Sequence, residues 1–374
     1  MTMTIKTLDD VLPCIDREVG VFFNEFDGYS VIDYGFVSND TFKNPVHIEC
    51  RGLKFGADGR LIARPFHKFF NSGERVDPTT IDWSRPFVVL DKLDGSMVHP
   101  CLLGDDLVFM TRAGKTRHAD LALSYADDTI LTLCRDMVAA GVTVMFEFTA
   151  PENRIVIAYD KPALTLLAGR ENESGRYFTH AELEALAVKY CVALVRSFPS
   201  VADVAGFVDE ARAQSDIEGY VIAFDDGDRV KLKTDFYTVR HRARSGLKFE
   251  KHVLALVAED GVDDVVPLLP PELSERLLVY ADVVTTGLNR LINEVSDFVV
   301  EHKDKPRREF ALLAQSTLDK RILSVAFAIL DGKDARKALK RHLLWAAHRE
   351  NRIDEIRSLY RMTWDTRDLD FDVG

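Results

Sequence analysis

FVVLDKLDGSMVHP, residues 87–100, drives an apolar strand into an Asp94-Gly95 turn and out into a second strand. LKFGADGRLIARPF (53–66) and IEGYVIAFDDGDRVKLK (217–233) repeat the design. Alternating apolar and polar residues bounded by Asp-Gly predict antiparallel hairpins. Residues 45–240 therefore read mostly as short strands, with helical patterns at about 119–140 and 180–190. That mixture predicts an α+β domain with antiparallel sheets. Strand signals stop after about residue 246, and PELSERLLVYADVVTTGLNRLINEVSDFVVEH follows. Leu273, Leu277, Ala281, Val284, Leu288, Leu291, Val295 and Phe298 recur there at spacings of three and four, one long amphipathic helix opening on Pro. The same period continues to the end, so two domains are expected, 1–245 and 246–374.

The chain has 374 residues, 47% apolar and 29% charged, a composition with ample core that excludes a disordered or disulfide-scaffold protein. No apolar run reaches the roughly 20 residues that cross a bilayer, and MTMTIKTLDDV lacks the pattern of a signal peptide. Cys14, Cys50, Cys101, Cys134 and Cys191 are scattered and never spaced as CxxC, which predicts reduced thiols in a cytosolic compartment. The ten histidines form no metal-binding cluster. Forty-eight basic against 60 acidic side chains give a net charge of −12, which speaks against a protein that coats nucleic acid but leaves room for a local basic groove.

Candidate chemistry sits on the strands. Lys92 flanks an apolar strand, where loss of water disfavours the ammonium, lowers its pKa and frees a nucleophilic amine. Glu147 lies in the apolar run VTVMFEFT, where a carboxylate is costly without a partner. Glu218 precedes the strand GYVIAF. Lys231 and Lys233, two apart, project from one strand face, and a pair of ammonium groups invites phosphate. Two basic segments lie upstream, ECRGLKF with Arg51 and RPFHKFFN with Arg64 and Lys68. Ala113-Gly114-Lys115-Thr116 imitates the end of a P-loop, but Phe109 stands where its first Gly belongs. Asp225-Asp226-Gly227-Asp228 is a turn without calcium-loop spacing.

Taken together these residues resemble the covalent nucleotidyltransferases, the ligases and capping enzymes. Lys92-Leu93-Asp94-Gly95 looks like motif I, Phe146-Glu147-Phe148 motif III, Glu218-Gly219-Tyr220 motif IV and Lys231-Leu232-Lys233 motif V. The strings ECRG, RPFHKFFN, FEFTAPENRIVIAY, RENESG, EGYV and KLKTDFY resemble one branch, the bacteriophage T4 RNA ligase 1 family, over roughly residues 45–245. The resemblance implies an antiparallel-sheet, ATP-grasp-like nucleotidyltransferase domain followed by an all-helical C-terminal domain. It also implies an ATP-dependent RNA ligase that joins 3′-OH and 5′-phosphate ends through lysyl-AMP and RNA-adenylate, in RNA or tRNA repair.

On that reading Lys92 is the nucleophile, and Lys231 and Lys233 hold the α-phosphate and depress the pKa of Lys92. Glu147 binds the ribose, while Glu218 binds Mg²⁺ (or Mn²⁺) or orients Lys92. Arg51 and Lys68 meet the β- and γ-phosphates, and Arg112 matches a further basic position. Gly95 permits close backbone approach, and Asp94 is read mainly as a turn former. RNA contact is assigned to Arg240 and Arg242, within a segment (231–251) carrying seven Lys/Arg against two acids, and to Arg336, Lys337, Lys340 and Arg341. The implied partners are single-stranded RNA or nicked tRNA and a polynucleotide kinase-phosphatase, with no membrane, for a cytoplasmic monomer of a phage-infected cell. A DNA ligase or capping enzyme is the alternative, and a non-catalytic RNA-binding protein a more distant one. The first two usually append an oligonucleotide-binding β-barrel after motif V, where helices follow here.

Overall fold

The computed structural model describes residues 3–74, 81–198, 201 and 203–367. The chain forms two compact units, with the break between Thr238 and Val239. The break precedes the expected 245/246 boundary because a helix, Asp235–Gly246, already starts two residues after the last strand.

Among the described residues the first unit holds three sheets. One is the antiparallel meander β1 (Val21–Phe26), β2 (Tyr29–Tyr34), β3 (Leu53–Gly56) and β4 (Leu61–Ala63). The remaining strands are β5 (Phe70–Asn71), β6 (Phe87–Lys92), β7 (Ser96–Leu103), β8 (Asp106–Met110), β9 (Val142–Thr149), β10 (Ala163–Glu171), β11 (Ser197–Phe198), β12 (Gly219–Phe224) and β13 (Arg229–Lys233). They form two sheets, in the orders β10-β9-β7-β8 and β11-β6-β12-β13-β5. Among the described residues all strand pairs are antiparallel except β13 with β5.

The hairpins expected at 56–61 and 224–229 are present. The one expected at Asp94-Gly95 is not: β6 and β7 belong to different sheets, so Leu93-Asp94-Gly95 carries the chain from one sheet to the other. Alternation marks a strand's faces, but it does not say that successive strands pair.

All eight residues of β9 are buried. A strand covered on both faces reads as an apolar run, which VTVMFEFT is. Helices Arg117–Ser124, Asp128–Ala139 and His180–Tyr190 pack Ala119, Leu133 and Leu183 against Val98, Phe146 and Phe148. The helix expected over 119–140 is two, because Asp127 accepts the amide of Ile130 as an N-cap and starts a new one.

The second unit is helical. Its axis of packing is Pro271–His302, which matches the stretch read as one long helix. Of the eight residues on its apolar stripe, seven are buried and Ala281 is partly so. They pack on Leu339 and Leu343 of Ala335–Ala347 and on Ile353 and Ile356 of Glu350–Tyr360. Among the described residues no helix is long and apolar enough to cross a membrane. The five cysteines are free thiols.

Candidate active site

Strand register assembles the centre. Gly219 of β12 pairs with Lys92 of β6 on one side and Lys233 of β13 on the other, so the two lysines share a face across it. Gly219 has φ +141°, and a Cβ there would lie 2.1 Å from the oxygen of Leu232, so only glycine lets the three strands meet. Glu218, one residue earlier and 3% exposed, lies between the ammonium groups. Its Oε2 is 2.8 Å from Lys92 Nζ and its Oε1 3.0 Å from Lys233 Nζ. Burial alone would raise its pKa, but Lys92 and Lys233 outweigh it and hold Glu218 ionised.

This corrects the expectation for Lys92. Burial does pull its pKa down, but attraction to the ionised Glu218 wins and the net shift is upward. The depressed lysine is Lys231, held well below its usual value by burial and then by Arg51, Lys92, Lys68 and Lys233. Like-charge repulsion was expected on the nucleophile, and it falls on its neighbour. The same set of influences places Arg51, Lys68, Lys92, Lys231 and Lys233 in one cluster.

Aromatic rings floor that cluster. Lys231 lies 4.6 Å from the Phe69 ring centroid and Lys233 4.7 Å from that of Tyr237. Lys68 is ringed by Phe70, Tyr34 and Phe42 at 5.1–5.9 Å, and the Tyr34 ring also carries the Arg112 guanidinium at 4.8 Å. Arg112 Nε is 3.2 Å from Asp33 Oδ2. Arg51 Nη1 is buried and, among the described residues, has no hydrogen-bond partner. A buried guanidinium nitrogen without an acceptor is costly and is satisfied by an incoming anion.

Glu147 accepts the Gly95 N–H at 3.0 Å. Burial, opposed by Lys92 and aided by Glu218 and Asp94, pushes its pKa up to about 8, so it keeps a proton at neutral pH. Gly95 is required by space, since an added Cβ would lie 2.3 Å from the Phe148 oxygen.

Asp94, read from sequence as a turn former, is a hub instead. Its Oδ2 accepts Val156 N at 2.8 Å and Ile157 N at 2.7 Å, its Oδ1 accepts Tyr237 Oη at 2.7 Å, and its own amide donates to Tyr159 Oη at 2.9 Å. It ties the β6–β7 link to the FEFTAPENRIVIAY segment and to the residues after β13. Tyr237 and Tyr159 carried a signal, because both end strings quoted for the resemblance. Arg64 has no place in the cluster: it is fully buried against Glu49 and the carbonyls of Met3, Asn172 and Glu173.

Sequence gave Glu218 a metal role, and the donor set tests it. Both its oxygens are engaged by ammonium groups, both Asp94 oxygens accept hydrogen bonds, and Glu147 offers one uncommitted oxygen. Among the described residues no cluster of three or more His, Cys, Asp or Glu could hold a cation. These residues do not fit a resident, protein-ligated metal.

In the second unit, Arg240 and Arg242 lie on Asp235–Gly246. On Ala335–Ala347, Arg336 donates to Asn289 Oδ1 at 2.6 Å and Lys340 pairs with Asp260. The Lys337 and Arg341 side chains make no hydrogen bond or ion pair among the described residues.

A strand-borne lysine, ion-paired to a buried glutamate inside a ring of cations, defines the site of a covalent nucleotidyltransferase. Comparison with known proteins narrows the class. The sequence profile of the RNA ligase family of the T4 type matches residues 49–237. RNA ligase 1 of bacteriophage TS2126 is 30% identical over 259 residues, 65% of this chain and 64% of that protein. A Thermovibrio ammonificans protein that bears an RNA ligase name is 28% identical over 273 residues, 67% of this chain and 70% of its own length. An archaeal ATP-dependent RNA ligase structure is 17% identical, covers 64% of each chain and has a TM-score of 0.47. The chain belongs to the T4 RNA ligase 1 family of RNA ligases.

Proposed function

We propose that the protein is an ATP-dependent RNA ligase that seals a 3′-OH to a 5′-phosphate through lysyl-AMP. The observation that carries this reading is the Lys92–Glu218–Lys233 ion-pair chain set in register across Gly219, with Arg51, Lys68 and Lys231 around it.

In step one, Lys92 Nζ, once its ammonium has passed a proton to Glu218 Oε2 2.8 Å away, attacks the α-phosphorus of ATP. A P–N bond forms, the bond to the bridging oxygen breaks, and pyrophosphate leaves. Lys231 and Lys233 are the cations for the α-phosphate, and Arg51, Lys68 and Arg112 those for the phosphates beyond it. Charge neutralisation and in-line placement are what such a transfer needs most. Glu218 keeps Lys92 aimed but also protonated, so its hold must relax before the amine attacks. Glu147, protonated at neutral pH, donates to or accepts from a ribose hydroxyl.

The AMP then moves to an RNA 5′-phosphate, and the 3′-OH displaces it. Mg²⁺, or Mn²⁺ in its place, enters as part of the metal–ATP co-substrate, in keeping with the small number of free carboxylate oxygens. Nicked tRNA or single-stranded RNA is the substrate, with Arg240, Arg242, Lys337 and Arg341 as its contacts in the helical unit. A DNA ligase or capping reading is disfavoured because, among the described residues, no strand follows Lys233.

The test is incubation with α-labelled ATP and a divalent cation. Label is expected on the wild-type chain and absent from Lys92→Ala, and it should chase onto 5′-phosphorylated RNA. Label persisting in Lys92→Ala would sink the proposal.

A further inference from the structure

Lys54 is fully buried on β3, and sequence offered no reason to notice it. Its Nζ donates to three backbone carbonyls: Gly52 at 2.7 Å, Thr111 at 2.8 Å and Arg112 at 2.8 Å. Three N–H bonds meet three acceptors, so the ammonium form is fully satisfied. Among the described residues it has no carboxylate in ion-pair contact.

A lysine in such a place is expensive. Burial pulls its pKa down to about 7, against the pull of Asp33 and Cys101 and with the push of Arg112 and Arg51. A methionine would fill similar space with no charge to desolvate, but it would leave the three carbonyls without a donor. What the ammonium achieves is geometric. The carbonyl of Gly52 follows Arg51 in the chain, and the carbonyls of Thr111 and Arg112 flank and include the second arginine. One nitrogen thus pins two segments 60 positions apart, each bearing a cation of the site. Gly52 confirms how tight the junction is. It has φ +80°, and a Cβ there would lie 2.6 Å from the Arg112 oxygen and 3.0 Å from Lys54 Nζ. On the other side, Asp33 holds Arg112 Nε, and Tyr34 lies beneath its guanidinium.

We propose that Lys54 is a positioning residue, which fixes Arg51 and Arg112 for phosphate binding by gathering the Gly52, Thr111 and Arg112 carbonyls onto one ammonium. The inference rests on the reading of Arg51 and Arg112 as ATP-phosphate contacts. Lys54 does not touch the reacting atoms, and its influence stops short of the Lys92–Glu218–Lys233 chain, which is held by its own strands. Loss of Lys54 therefore weakens the grip on ATP and leaves the nucleophile aligned.

The experiment is lysyl-AMP formation measured across ATP concentrations, with thermal unfolding, in full-length wild type, Lys54→Met, Lys54→Gln, Arg51→Ala and Arg112→Ala. A misplacement near 1 Å is felt as about 10²-fold in binding or rate, so KM for ATP in Lys54→Met is expected to rise by about 10- to 100-fold. Its kcat should stay within about threefold of wild type, because a change confined to KM marks lost binding rather than lost chemistry. Lys54→Gln keeps two donors and should fall between the two; it also carries the test if Lys54→Met does not fold. A lower Tm with unchanged KM in either variant would make Lys54 merely structural and overturn the proposal. If neither Arg51→Ala nor Arg112→Ala raises KM, the underlying assignment of those two arginines fails instead.

Discussion

Gly95→Ala tests the active-site geometry at its tightest point. The new Cβ would meet the Phe148 carbonyl oxygen at 2.3 Å, with Phe148 C and Thr149 Cγ2 at 3.0 Å. The obstacle is backbone, and β9 is buried along its length between β7 and β10, so it has little freedom to yield. Merely to reach 3.0 Å from that oxygen, the β6–β7 link must retreat by about 0.7 Å, the difference between the two distances. That retreat stretches the 3.0 Å bond from Gly95 N to Glu147 and drags Asp94 against its four hydrogen bonds. Lys92 lies three residues away on the same link. Overpacking of this kind costs about 1–3 kcal/mol. In a chain of this size each kcal/mol is worth roughly 2–4 °C, so the variant should melt several degrees early and still fold. A displacement approaching 1 Å at the nucleophile costs about 10²-fold in rate. Single-turnover transfer of label from α-labelled ATP to protein, at saturating ATP, measures that loss directly. A Gly95→Ala chain that is adenylylated within about threefold of the wild-type rate would show that the approach of this link to β9 does not set Lys92.

Three further outcomes follow from the buried charges. Glu49 lies between Arg170 and Arg64, at 2.8 and 3.1 Å; burial opposes its ionisation, but the two arginines prevail and bring its pKa down to about 2. Its folded value is below the ordinary one, so its stabilisation is present above about pH 4.5 and lost as pH falls toward 2. Glu49→Gln should therefore cost about 3 kcal/mol at pH 7 in denaturant titrations and almost nothing near pH 2. Glu147 has the opposite sign: with its pKa raised to about 8, the folded state holds a proton the unfolded state lacks, and stability falls as pH rises from about 4.5 to 8. Glu147→Gln should flatten that decline, read as Tm at pH 6 and pH 8.5; an unchanged slope would place the titration elsewhere. Lys231 is destabilised by burial and by four neighbouring cations, so Lys231→Met should raise Tm by a few degrees while slowing lysyl-AMP formation by about 10²-fold or more. A variant that loses both stability and activity would contradict that trade.

What the sequence showed and what it hid divide along physical lines. The stripe from Leu273 to Phe298 exposed its helix because one face of a long helix repeats its period many times. The grouping of Lys92, Glu147, Glu218 and Lys231 was legible because charged residues stand out on apolar strands. The link between β6 and β7 was misread because local alternation does not encode which strand pairs with which. Asp94 was undervalued because its partners, Val156, Ile157, Tyr159 and Tyr237, come from up to 143 positions away. Lys54 was invisible for the same reason, and a lysine on a hairpin strand gives no hint that its ammonium faces three carbonyls. The direction of the Lys92 shift depended on which opposing influence was largest, and only the 2.8 Å contact with Glu218 decides that.

The net charge of −12 is not in conflict with an anion-binding centre. Charges separated by more than about 8–10 Å through solvent are largely screened at physiological salt, so the acidic surplus acts weakly at the site. Within the cluster the balance is reversed. Arg51, Lys68, Lys92, Lys231 and Lys233 face Glu218 as the carboxylate held ionised by its partners, while Glu147 keeps its proton up to about pH 8. Burial is the first cause that depresses Lys231, and repulsion among these cations adds to it. A basic coat would add affinity for RNA everywhere along the surface. A crowded basic centre on an acidic body confines the positive charge to the surroundings of Lys92.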